Sequence, residues 1–115
     1  MKINVLGVAT TEFGELWKKS PRTMARQAMQ DALDDAGFKK EQVDALYVGN
    51  MLAGILGNQA NLGPFFAEEL GVNVPAVRVE GACASGGLAL HSGINSILAG
   101  QYKTVLVLGI EKMTD

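Results

Sequence analysis

Short β-branched runs alternate along the chain with longer stretches whose apolar residues recur every three or four positions. Ile3 to Val8 is the first such run; it ends near Gly7, is followed by the polar Thr10-Thr11-Glu12, and predicts a buried first strand. Ser20-Pro21 then predicts a helix start. A serine hydroxyl can cap free N–H groups, and proline is pre-set for the first helical position. Met24, Ala25, Ala28, Met29, Ala32, Leu33 and Ala36 form one apolar stripe, with Arg22, Arg26, Gln30 and Asp34 between them and Gly37 as the stop.

Val43 to Val48 predicts a second strand closed by Gly49. Gly49 to Gly57 mixes three glycines with apolar residues and reads as a loop that packs against something. A second helix is predicted over 58–70, with Pro64 either kinking it or dividing it into two pieces and Gly71 ending it. Strands over 75–79 and 104–109 flank a third helix, Cys83 to Ala99. The predicted order βαβαβαβ implies an α/β fold whose mixed sheet is mostly parallel, because parallel neighbours need long crossover connections.

The third helix changes this picture. From Gly81 to Tyr102 there is no Asp, Glu, Lys or Arg, whereas a surface helix normally carries a charged face. His91, Asn95, Gln101 and several Ser and Gly residues leave it short of the roughly 20 predominantly apolar residues of a membrane span. It is expected to be buried on all sides, which needs more protein than these elements provide.

The chain has 115 residues, 48% of them hydrophobic, and a net charge of −2 without Lys/Arg clusters, which argues against a nucleic-acid footprint. One cysteine excludes an internal disulfide, and one histidine leaves no structural metal spacing. The N-terminal apolar run is too short for a signal peptide, so a reducing cytoplasm is the expected location.

Chemistry centres on Val79-Glu80-Gly81-Ala82-Cys83-Ala84-Ser85-Gly86-Gly87. Cys83 follows a strand and opens a helix, where free N–H groups and the helix dipole favour a thiolate and could hold an oxyanion. The competing reading is a small buried residue, as free cysteines commonly are. A nucleophile also needs a base, and His91 lies eight residues on, about 12 Å along a helix. His91 therefore reads as a hydrogen-bonded interior or interface residue. Glu80 reads as a cap for the helix start, and Asp31, Asp34 and Asp35 as solvated charges. A dinucleotide fingerprint fails because Cys83 occupies its middle glycine position, and a hydrolase elbow fails because Ser85 stands where glycine is required.

The stretch "RVEGACASGGLALHSGINSILAGQY" followed by "VLVLGIEKMTD" resembles the thiolase family, especially archaeal acetyl-CoA acetyltransferases and sterol-carrier-type thiolases. "INVLGVATTEFG" and "VDALYVGNMLAG" support the likeness. The resemblance implies that residues 1–115 are an incomplete N-terminal domain of a five-layered αβαβα thiolase fold, with the uncharged helix between two sheets. It implies Cys83 as the acyl-accepting nucleophile, its N–H in the oxyanion hole, and acetyl-CoA or a 3-ketoacyl-CoA as substrate. The reaction would be Claisen condensation to acetoacetyl-CoA or the reverse thiolysis, with no permanently bound cofactor. The family's Gly-His-Pro and Cys-x-Gly motifs do not occur here, so this chain alone is expected to be inactive. It is expected to assemble as a dimer or tetramer, or with a complementary C-terminal half. The alternatives are a ketoacyl synthase, a hydroxymethylglutaryl-CoA synthase, or a non-catalytic acyl-CoA-binding or assembly subunit of the same fold.

Overall fold

The computed structural model describes residues 2–114. Its elements run α1 (Pro21–Ala36), a 3-10 turn (Lys40–Gln42), β1 (Ala45–Gly49), α2 (Ala53–Leu56), α3 (Leu62–Leu70), β2 (Ala76–Val79), a second 3-10 turn (Ala82–Ala84), α4 (Ser85–Leu98) and β3 (Val105–Gly109). The sheet order is β2-β1-β3 and both pairings are parallel, with Leu46 opposite Ala76 and Leu106. The α/β class and the parallel sheet agree with the sequence reading. The predicted first strand does not form, so the order is αβααβαβ.

The signals around α1 act as expected. Ser20 Oγ accepts from Thr23 N–H at 3.2 Å, and Gly37 ends the helix at φ 69°, a left-handed conformation that suits glycine. Ala25, Met29 and Leu33 recur at four-residue spacing and are the buried positions. With Leu46, Val48, Leu62, Phe66, Leu70 and Leu108 they form the core between one face of the sheet and the pair α1 and α3. Burying each such large side chain fully contributes about 1.5–3 kcal/mol.

The helix predicted over 58–70 is one shorter helix, α3, starting at Leu62, and Pro64 neither kinks nor divides it. Pro64 is the third residue of α3, among the first-turn positions whose N–H groups have no intrahelical acceptor. Gly63 lets this helix press on β2, since a Cβ there would lie 2.5 Å from the Ala76 carbonyl oxygen. The Gly49 to Gly57 loop contains the single-turn α2.

Residues 3–8 lack a strand because they lack a ladder partner. Paired strands lie about 4.8 Å apart, but between this segment and β3 is a cavity of about 680 Å³ lined by both. The segment is held by α1 instead: Val8 N–H donates to Asp35 Oδ2 at 2.9 Å, and Gly7 sits so close to α1 that a Cβ would come 2.6 Å from the Ala32 carbonyl oxygen. Asp35 is thus tied to the backbone rather than simply solvated.

On the other face of the sheet lies α4. Gly93 meets Val105, Val107 and Tyr47, and Ser85, Ala89, Gly93 and Ser96 are buried on this side. The expectation of burial on all sides is corrected within this chain: Leu88, Leu90 and Leu98 are exposed on the remaining surface of α4, because one sheet covers only one face. Among the described residues, no helix is long and apolar enough to cross a membrane.

Candidate functional site

The three parallel strands end together at Gly49, Val79 and Gly109, and the residues after them build the site. Gly49 brings the start of α4 onto β1: a Cβ there would lie 2.6 Å from the Ser85 carbonyl oxygen and 2.7 Å from Gly86 Cα. Gly109 has Gly86 Cα at 3.8 Å from its own virtual Cβ. Glycines ending two strands therefore let the helix start sit over the sheet's carboxyl edge.

Cys83 is the middle residue of the 3-10 turn Ala82–Ala84, and α4 begins at Ser85, two residues after the predicted start at Cys83. The displacement has a local cause. Ala82 has φ +53°, a left-handed conformation that costs a non-glycine residue about 1–2 kcal/mol. Asn58 and Asn61 also have positive φ, but asparagine tolerates it; Ala82 has no side chain that helps.

Three side-chain hydrogen bonds hold this elbow, beside backbone bonds from Ala84 N–H to the Gly81 carbonyl at 3.0 Å and from Ser85 N–H to the Ala82 carbonyl. Ser85 Oγ accepts from Gly81 N–H at 2.9 Å and donates to the Ala82 carbonyl at 2.7 Å, and Glu80 Oε2 accepts from Ala82 N–H at 2.6 Å. Glu80 thus braces the turn ahead of α4 rather than capping the helix itself. The elbow leaves Cys83 exposed, so the buried-residue reading fails for this chain. Among the described residues no protein group accepts from Cys83 N–H. Beside it, Gly86 and Gly87 face open space, leaving room for a substrate carbonyl.

His91 is hydrogen-bonded as expected, its Nε2 lying 3.1 Å from Asn95 Nδ2 one turn on, but it is exposed rather than interior. It does not join Cys83 in a dyad. No set of three His, Cys, Asp or Glu among the described residues could hold a metal ion.

A second polar cluster, unmarked by any local sequence signal, joins the ends of β1 and β3. Buried Asn50 donates through Nδ2 to the Ile110 carbonyl at 2.7 Å and to Glu111 Oε2 at 2.6 Å. Glu111 also accepts from Met51 N–H at 2.8 Å and Leu52 N–H at 3.1 Å, while Arg78 Nη2 donates to the Met51 carbonyl. One carboxylate thereby satisfies the donors of the turn that leaves β1. Sequence separation of about sixty positions hides it from periodicity.

Comparison with known proteins gives consistent results. Residues 3–115 match the thiolase N-terminal domain family. An acetyl-CoA acetyltransferase of Methanothermobacter thermautotrophicus is 46% identical over 98% of this chain and 30% of its own length. That of Methanocaldococcus jannaschii is 42% identical over 98% of this chain and 29% of its own. The chain therefore spans just under a third of the length of these two relatives. The Acat5 thiolase from Ascaris suum, solved in complex with coenzyme A, superposes with a TM-score of 0.80 at 20% identity, over 95% of this chain and 28% of that one. This last likeness supports the fold: the α/β architecture is the N-terminal portion of the thiolase fold.

Proposed function

Because the chain belongs to the thiolase family through its N-terminal domain, we propose that it carries the acyl-accepting nucleophile of an acetyl-CoA C-acetyltransferase. The observation that carries this reading is the exposed Cys83, presented on a left-handed elbow, its own N–H without a protein acceptor among the described residues. The acetyl-CoA acetyltransferase activity of the two archaeal relatives and the coenzyme A held by a structural neighbour support a coenzyme A thioester as substrate.

In the acylation step the Cys83 thiolate attacks the thioester carbonyl carbon of acetyl-CoA. The carbonyl electron pair moves onto oxygen, and collapse of that oxyanion expels coenzyme A thiolate, leaving an acetyl thioester on Cys83. In this reading the Cys83 N–H, which finds no acceptor among the described residues, donates to the oxyanion, a contribution usually among the largest in acyl transfer. The proton acceptor that forms the thiolate and the second oxyanion donor come from outside this chain, since His91 is paired with Asn95 and stands two helical turns away. In the second step an α-carbanion of another acetyl-CoA attacks the thioester, giving acetoacetyl-CoA and free Cys83; thiolysis is the reverse.

This reading includes dependence on residues C-terminal to this domain, self-association as a dimer or tetramer, no permanently bound cofactor and a cytoplasmic location. The uncovered leucines of α4 support the first of these, since a second layer would bury them. The test is mass spectrometry of the intact protein that carries this chain after exposure to acetyl-CoA. An acetyl adduct on the Cys83 peptide, lost in Cys83→Ser, is expected. An unmodified Cys83 in active protein would refute the assignment, and a bound but uncleaved acetyl-CoA would favour the non-catalytic alternative.

A further inference from the structure

The hydrogen bonds around Ala82 have a consequence for the reaction itself. Both peptide groups of Ala82 are pinned: its N–H by Glu80 Oε2 at 2.6 Å and its carbonyl by Ser85, through Oγ at 2.7 Å and through the Ser85 backbone N–H. The same hydroxyl takes the Gly81 N–H at 2.9 Å, so one oxygen bridges the turn from before the strained residue to after it. The carbonyl of Ala82 belongs to the peptide that carries the Cys83 N–H. Fixing that carbonyl fixes the direction in which the N–H points.

Ser85 is itself rigidly placed. It is 6% exposed, opens α4, and its backbone rests on Gly49 of the central strand. Glu80, by contrast, is exposed and braces the turn from the solvent side. We infer that Ser85 is a positioning residue for acyl transfer, locking the Ala82–Cys83 peptide so that nucleophile and oxyanion donor are aligned before substrate arrives, with Glu80 as a second brace. This rests on reading Cys83 as the acyl acceptor. Left-handed alanine is a sparsely populated state that persists only where its surroundings over-determine it. Here a buried hydroxyl and a carboxylate do so.

The experiment is single-turnover acetylation of Cys83 by acetyl-CoA in the intact protein, with kcat and KM measured beside it. Ser85→Ala is expected to slow acetylation by about tenfold or more while KM changes little, as misalignment of a reacting group does. Ala82→Gly in the Ser85→Ala background is expected to recover much of the loss, because glycine adopts the left-handed conformation without the brace. Glu80→Ala, a surface change, is expected to slow acetylation several-fold, and Glu80→Gln, which keeps the acceptor oxygen, to rescue it. Acetylation of Ser85→Ala at the wild-type rate would overturn the proposal, as would a Ser85→Ala defect that Ala82→Gly leaves untouched. Should Ser85→Ala fail to fold, a Glu80→Ala rate equal to wild type would overturn it. A wild-type protein that never acetylates Cys83 would instead overturn the reading of Cys83, and the proposal with it.

Discussion

Replacing Gly49 with alanine tests whether the start of α4 is held by contact with the central strand. The added Cβ would sit 2.6 Å from the Ser85 carbonyl oxygen and 2.7 Å from Gly86 N and Cα, about 0.8 Å inside the 3.4 Å at which ordinary contact begins. All three obstacles are backbone atoms, so no side chain can rotate away. Either β1 or the helix start must retreat, and overpacking of this kind costs about 1–3 kcal/mol. The retreat also carries Ser85, and with it the elbow that presents Cys83. A displacement approaching 1 Å at a reacting group lowers rates by roughly a hundredfold. The assay is urea unfolding of the intact protein together with the rate of Cys83 acetylation. Gly54→Ala is the control, since a Cβ there meets nothing within 4 Å and Gly54 lies in the exposed part of α2. Gly49→Ala is expected to lower both stability and acetylation while Gly54→Ala preserves both. Equal behaviour of the two variants would refute the packing argument.

Two further outcomes follow from the core and the second polar cluster. Phe66→Ala empties a site that is 1% exposed and removes the edge-to-face contact with Phe65 at 5.1 Å; a loss of about 3–5 kcal/mol is expected in equilibrium unfolding, and a loss under 1 would mean the site collapses freely. Glu111→Gln keeps the shape but must set its NH2 against either the Met51 N–H or the Leu52 N–H and Asn50 Nδ2, so about 1–3 kcal/mol should be lost, with faster amide exchange at one of the two backbone positions, Met51 or Leu52. Unchanged exchange there would show that the carboxylate does not hold the turn.

Elements with strong local signals were readable from the chain. Ser20, Pro21 and Gly37 bound α1, and Gly71 stops α3, because caps act through atoms within a few residues of each other. Cys83 was equally legible as a candidate, through its place between an apolar run and a glycine-rich one. What failed failed for non-local reasons. Ile3 to Val8 has the composition of a strand, yet strand formation needs a neighbour, and here a cavity separates it from β3. The uncharged surface of α4 was visible in composition, but which side of it a single sheet would leave open was not.

The amino-acid sequence by itself determined the α/β class, the limits of α1, the parallel order of crossovers and Cys83 as the candidate for chemistry, since these depend on periodicity, caps and motif. Only the tertiary structure decided that Ala82 is left-handed, that Ser85 and Glu80 hold it so, and that Glu111 reaches across to the turn after β1. An alanine carries no mark of a positive φ, and a carboxylate none of a partner sixty residues away. Such features arise when strands, brought side by side, place their carboxyl ends within hydrogen-bond distance, and hydrogen-bond geometry is then satisfied in space rather than along the chain.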